Sequence, residues 1–368
     1  NLRPALSSIG PLIDFIRQSF DLSDTLLGLL TTLPLLAFGV ISTITPLFTK
    51  RFGIGKTLLG AMILLIAGIL IRSLGSILGL YVGTMLLGIA IAFGNVLLPA
   101  LTKQNFPEKA GSITSLYSAT MSLGASLAAG LSVPLAGRLG WQGSMATWCL
   151  LALLAFFIWI PQIKRIQSSK SRRSFRTAIK NMSGIRLVWE LAFFMGLQSL
   201  TFYVLLAWLP DLLIARDYDS GFAGWMLSLS QATGIVGALI VPFWAGHKKD
   251  QRLVIVLLVL LEIIGLTGLM FPQIGMVAVW VSILGLVLGG TFGLALLLIV
   301  LRSSNTETAA ELSGMVQSIG YIIAATGPFL IGFIQDLFKV WNYSLSVLIV
   351  LALVKLYVGM GAGKAQEL

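Results

Sequence analysis

Apolar runs of about twenty residues, each long enough to cross a ~30 Å hydrocarbon layer as a helix, recur from one end of this chain to the other. Lipid offers the backbone no hydrogen bonds, so such runs must be helices that pack on one another. The composition agrees: 57% of the 368 residues are hydrophobic and 11% charged, with a mean hydropathy of +0.95, where soluble domains carry about a quarter charged residues. Runs and breakers predict spans near 1–18, 25–48, 57–73, 77–101, 111–135, 143–162, 187–210, 221–245, 253–270, 277–301, 311–334 and 343–362. The fold class is all-α integral membrane, with twelve transmembrane helices.

The net charge of +11 does not point to nucleic acid, because the cations cluster in short connections between apolar runs. Alternate connections give one side Lys50, Arg51, Lys56, Lys103, Lys109, Lys248, Lys249, Arg252, Arg302, Lys364 and the run from Lys164 to Arg186. The other side receives Arg17, Arg72, Arg138, Arg216 and Lys339. The richer side is expected to be cytoplasmic, with both termini on it. The long basic connection 163–186 divides the chain into bundles over 1–162 and 187–368. Cys149 and His247 are the single cysteine and histidine. Neither an internal disulfide nor a metal site or catalytic triad can be built from them, and no cofactor is expected.

The two sets of six spans resemble each other in register. "PLIDFIRQSF" at 11–20 and "PDLLIARDYD" at 210–219 share a proline and an arginine six residues later. Gly28 and Pro46 match Gly224 and Pro242 at an offset of 196, and Phe93, Gly94 and Lys103 match Phe292, Gly293 and Arg302 at 199. This order points to a duplicated six-helix unit. Aligning Pro11 with Pro210 sets Arg3 opposite Phe202, mid-span, so the first helix is expected to be truncated and Arg3 to lie near the midplane. A charge there costs about 2.5–3.5 kcal/mol even on the lenient insertion scale, so it should face a partner or a wet cavity. Pro4, Gly10 and Pro11 around it free carbonyls and permit bending.

Other polar residues fall at membrane depth. Asn95 lies in span four one turn before Pro99, placed either to orient a solute or to bridge two helices. Span seven contributes Gln198, Tyr203 and Trp208; span eleven contributes Gln317 and Tyr321 on one face; Tyr117 lies in the matching span five, at an offset of 200 from Gln317. Such a set suits a small, flat, electron-rich or anionic solute. Glu262 and Lys355, deep in spans nine and twelve, read as a structural pair or lipid-facing snorkels, and Glu190 as a solvated carboxylate at a helix start. Glycines four apart, Gly79 and Gly83 on span four and Gly285, Gly289 and Gly293 on span ten, predict close helix contacts.

The motifs "LRP…GPL", "LLTTLPLLAFGVIS", "GNVLLPALTKQNFP", "GWQG" at 140–143, "YVLLAWLP", "KDQR" at 249–252 and "LSGMVQSIGYIIAATGP" cover essentially the whole chain. Together they resemble major facilitator transporters of the cyanate porter group, and more closely those members that carry 2-nitroimidazole. The resemblance implies two pseudo-symmetric six-helix bundles with alternating access, and a substrate that is a small anion or a small nitrogen heterocycle. It carries Arg3 over as the group's first-span arginine. In the superfamily the connection between spans two and three has an early glycine and an aspartate before its arginine. Here "PLFTKRFGIGK" has Pro46 and Lys50 at those places, so the latch made by that aspartate does not carry over, although Arg51 and Gly53 remain.

An intramembrane enzyme would need a cluster of His, Asp, Glu or Cys near one face, and a channel would need charged rings or repeated pore segments; the sequence has neither. The expectation is a secondary transporter in a bacterial inner membrane, monomeric, with proton coupling left open. Export of other small organic anions or drugs, and a sensor on a transporter fold, are the alternatives. The candidate solute-binding residues are Arg3, Asn95, Tyr117, Gln198, Tyr203, Gln317 and Tyr321, with Pro4, Pro11, Arg51, Gly53 and Pro99 as gating or structural residues.

Overall fold

The computed structural model describes residues 3–22, 24–163 and 182–368, and every regular element among them is helical. In chain order these are α1 (Pro4–Ser7), α2 (Ile13–Phe20), α3 (Asp24–Arg72), α4 (Ile77–Asn105), α5 (Ala110–Thr147), α6 (Cys149–Trp159), α7 (Arg186–Ile214), α8 (Ser220–Gly246), α9 (Arg252–Met270), α10 (Val277–Leu301), α11 (Thr306–Phe338) and α12 (Trp341–Ala362). Residues 164–181 of the predicted basic connection, and Asn1 and Leu2 of the first span, lie outside the described residues.

Among the described residues, nine helices are long and apolar enough to cross a membrane. The number is below twelve because neighbouring spans run together. The 49 residues of α3 would extend roughly 74 Å at ~1.5 Å per residue, more than twice the hydrocarbon thickness. Its helical course breaks at Gly53, with φ 78° and ψ 161°, a conformation open essentially to glycine alone, so α3 holds spans two and three. Gly140, with φ 70° and ψ 166°, breaks α5 in the same way and joins span five to span six. Span one is interrupted where its prolines and glycine predict: α1 stops after four residues and a 3-10 turn over Gly10–Leu12 leads into α2.

The glycine spacings are used as expected. A Cβ at Gly237 or Gly289 would collide with the carbonyl oxygens of Leu286 and Gly234, so α8 and α10 meet backbone to backbone. On α4, a Cβ at Gly79 would lie 2.7 Å from the Ile71 carbonyl oxygen, which gives α3 and α4 the same intimacy. The first and last six spans meet where α3 packs on α11 and α5 on α8. Thr43 donates to Ser318 Oγ at 2.7 Å, Ser318 donates to the Gly39 carbonyl, and Ser118 donates to the Ala238 carbonyl at 3.0 Å. Nearer still to the ends that carry Lys109 and Lys248, a Cβ at Gly111 would sit 2.7 Å from Gly246 Cα.

Three cations that the sequence places in connections between spans are turned into the protein. Arg72 is 0% exposed and Arg302 only 3%. Arg302 donates to the Ala362 and Gly363 carbonyls, at 3.0 and 2.9 Å, and to Gln251 Oε1, so it binds the start of α9 and the ends of α10 and α12 together. Arg216, half-buried, donates to the Leu269 carbonyl and to Asn342 Oδ1. Glu190 is half-buried and pairs with Arg186 at 2.7 Å rather than standing alone in solvent.

Glu262 and Lys355 form an ion pair between α9 and α12 with both side chains fully buried, which fits the structural-pair reading. Replacing Lys355 alone by Met is expected to cost about 3–5 kcal/mol, because it strands a buried carboxylate. Lys355→Met combined with Glu262→Leu is expected to recover most of that. Thermal unfolding of the three proteins in detergent measures it, and equal losses in single and double variants would contradict it.

Candidate functional site

Of the polar residues that sequence places at membrane depth, Asn95 of span four is joined by hydrogen bonds to Gln317 and Tyr321 of span eleven, and Arg3 of span one lies against span ten. Arg3 is the N-cap of α1: its carbonyl accepts from the amides of Leu6 and Ser7 at 3.1 and 2.9 Å. The interruption of span one keeps this short helix apart from α2. The half-buried guanidinium lies over the Phe292 ring of α10, 4.9 Å from its centroid. Among the described residues it meets no carboxylate. A cation–π contact of this kind is worth about 0.5–2 kcal/mol, depending on how dry it is.

Asn95, Gln317 and Tyr321 are at most 4% exposed. Asn95 Nδ2 donates to Tyr321 Oη at 3.3 Å, and Gln317 Nε2 donates to the Asn95 backbone carbonyl at 2.7 Å and to Ser313 Oγ at 2.8 Å. A carbonyl can only accept, so the Gln317 amide is oriented with its oxygen away from Asn95. That oxygen and Asn95 Oδ1 are buried acceptors without a hydrogen-bond partner among the described residues. Buried acceptors left unpaired are costly, and a solute bearing N–H or O–H would relieve them. Asn95 thus bridges α4 to α11 through its backbone and amide, while its Oδ1 has no partner among the described residues.

Aromatic rings wall the same place. Phe38 of α3 packs on Tyr321 with ring centroids 4.9 Å apart. Tyr203 of α7 packs edge-on against Phe202 at 5.3 Å. The cluster thus offers one cation, two unpaired amide oxygens and flat apolar surfaces. Among the described residues, no group of three or more His, Cys, Asp or Glu could hold a metal ion.

The family model of the Major Facilitator Superfamily matches residues 5–328. The chain belongs to this superfamily. The facilitator chain is 40% identical to the uncharacterized transporter YycB of Bacillus subtilis (strain 168), over 99% of its own length and 91% of that protein's. It is 38% identical to the 2-nitroimidazole transporter of Escherichia coli (strain K12), over 100% of its length and 93% of that protein's. Its fold is similar to that of the proton:xylose symporter XylE bound to 6-bromo-6-deoxy-D-glucose, with a TM-score of 0.77 at 12% identity, covering 97% of this chain and 92% of that one. The facilitator is a multi-pass membrane protein that moves small solutes by secondary transport, and it is not an enzyme.

Not every predicted residue joins the cluster. Gln198 is buried, and its Nε2 donates within α7, to Ser199 Oγ at 2.6 Å and Met195 Sδ at 3.5 Å, while its Oε1 is a third buried acceptor without a partner among the described residues; no hydrogen bond joins it to Asn95 or Gln317. Tyr117 of α5 has its hydroxyl buried, and no hydrogen bond ties it to Asn95 or Gln317. Pro4 packs on α5, with its ring 3.0 Å from where a Cβ at Gly124 would sit; Pro99 is buried in α4; Pro11 lies in the 3-10 turn; Arg51 reaches back over the Phe52 ring at 5.3 Å. Phe292 and Phe38 were missed. Phe292 was visible as the repeat partner of Phe93, but nothing in its spacing marks it as the ring beneath Arg3.

Proposed function

We propose that this facilitator carries a small flat solute, a 2-nitroimidazole-like heterocycle or a cyanate-like anion, across a bacterial inner membrane by alternating access. The solute binds near the midplane between a bundle over 1–162 and one over 187–362, and the two rock as bodies about it. The observation that carries this reading is Arg3 of the first span stacked on Phe292 of the tenth, beside hydrogen bonds from Gln317 and to Tyr321 that reach Asn95 across the bundles. Arg3 supplies charge or a two-pronged donor to a nitro, cyanate or carboxylate group. Gln317 and Asn95 offer acceptors, and the tyrosines offer flat walls. Lys and Arg enrichment supports placing both termini in the cytoplasm, so contacts such as Gly111 against Gly246 close the cytoplasmic end of this conformation. The working unit is a monomer.

Thermal shift and calorimetry on the purified protein with cyanate, 2-nitroimidazole and a panel of small carboxylates test the solute class. One panel member is expected to stabilise the protein and to bind with a measurable heat. If none binds, the solute reading is withdrawn. Counterflow and imposed pH gradients in proteoliposomes then separate facilitated from proton-coupled movement.

A further inference from the structure

Arg72 ends α3, where an arginine ordinarily lets its head group reach the interface. Instead it is fully buried against the interrupted first span. Its Nη1 donates to the Ala5 carbonyl at 2.6 Å and its Nη2 to Ser8 Oγ at 3.4 Å, while Ser8 Oγ donates to the same Ala5 carbonyl at 3.1 Å. That carbonyl is free because the helix stops. In a continuous helix the Ile9 amide would take it, but here Ile9 donates to Leu6 at 3.4 Å and the chain passes into the 3-10 turn. Arg72 therefore holds the end of a four-residue helix whose other end is Arg3.

The surroundings fix this clamp from both sides. A Cβ at Gly83 of α4 would sit 2.5 Å from the Arg72 backbone nitrogen and 2.6 Å from its Cβ, so glycine there lets α4 close up behind Arg72. Across α1, Pro4 rests against α5 at Gly124, 3.0 Å from an added Cβ. The short helix is thus gripped between Arg72 and α5, with the Arg3 guanidinium 4.9 Å from the Phe292 ring centre.

We infer that Arg72 is a positioning residue for the solute site, setting the place of Arg3 through the backbone of α1 without touching solute. This rests on the reading of Arg3 given under Proposed function. A thiol probe tests the geometry without any ligand. In a Cys149→Ala background carrying Arg3→Cys, the rate of modification by a charged methanethiosulfonate reagent is compared with and without Arg72→Met. The rate is expected to change by about tenfold, and by less with Arg72→Lys, which keeps the charge but loses the fork. An unchanged rate overturns the inference. Should Arg72→Met not fold, Ser8→Ala and Arg72→Lys carry the same comparison.

Binding of 2-nitroimidazole and cyanate gives the second readout. Arg3→Ala and Arg72→Met should each weaken binding, and the double variant should bind no worse than Arg3→Ala alone, because one residue acts through the other. Losses that add, or an Arg72→Met protein that melts lower but binds normally, would mean Arg72 only stabilises the fold. If Arg3→Ala binds as well as the wild type, the reading of Arg3 fails, and the thiol rate still decides what Arg72 does.

Discussion

Arg3→Ala is expected to weaken binding of the transported solute by about ten- to hundredfold, the size of one charge-assisted hydrogen bond at roughly 1.5–3 kcal/mol. The melting temperature of the unliganded protein should hardly move. Arg3 forms no ion pair among the described residues, so its removal leaves no carboxylate stranded and forfeits only the stacking on Phe292. That separation of affinity from stability distinguishes Arg3 from Lys355, whose loss strands a buried carboxylate, and from Arg72, whose loss takes the guanidinium donor from a buried carbonyl. Arg3→Lys should recover part of the affinity for an anion held by charge and little for one held by two parallel hydrogen bonds. Calorimetry on the three proteins, beside uptake in proteoliposomes, reads both quantities. Normal affinity in Arg3→Ala would remove Arg3 from the site.

Gly246→Val is expected to stop transport while leaving the protein folded and able to bind. At the basic end, α5 and α8 approach so closely that a Cβ on Gly246 would run into the Cα of Gly111. Overpacking such a contact costs about 1–3 kcal/mol, comparable with the few kcal/mol that separate two conformations of a transporter. The strain vanishes once the two helices part, so the penalty falls on the closed form alone. The population should move about ten- to hundredfold toward a form open at that end. Spin labels at positions 109 and 248, both exposed beside this contact, should lie farther apart in Gly246→Val than in the parent, with Gly246→Ala between. Unchanged distances and unchanged transport would show that this contact is not a gate.

The spans were legible because lipid imposes one rule on each apolar run, and the observed helices fall within a few residues of it: 277–301 was read where α10 runs Val277–Leu301. The breaks in span one followed from the missing amide of Pro11 and the freedom of Gly10. Arg3 was singled out for another reason, since the duplicated half supplied an expected depth that its own position in the chain conceals. Arg72 was not. An arginine at a span end reads identically whether its side chain rises to the interface or turns inward, and the carbonyl that receives it, Ala5, comes from a helix interruption 67 residues away. Gly83 was the available signal: its spacing announced a close helix neighbour but could not say that the neighbour was an arginine. Gln198 shows a different limit. Its side chain is buried, but its Nε2 donates to the hydroxyl of the next residue, Ser199, while its Oε1 has no partner among the described residues, and no periodicity tells such a local contact from an amide turned into a cavity.

The buried pair of Glu262 and Lys355 also bears on how the chain is made. The partners are separated by 93 residues, so a ribosome delivers α9 to the membrane well before α12 exists. Through that interval Glu262 must be kept from lipid, since an isolated charge at that depth is costly. Lys355 supplies the partner for that charge when α12 docks. The docking of the ninth helix is therefore complete only with the twelfth, and a chain cut short between them would carry the acid without its partner.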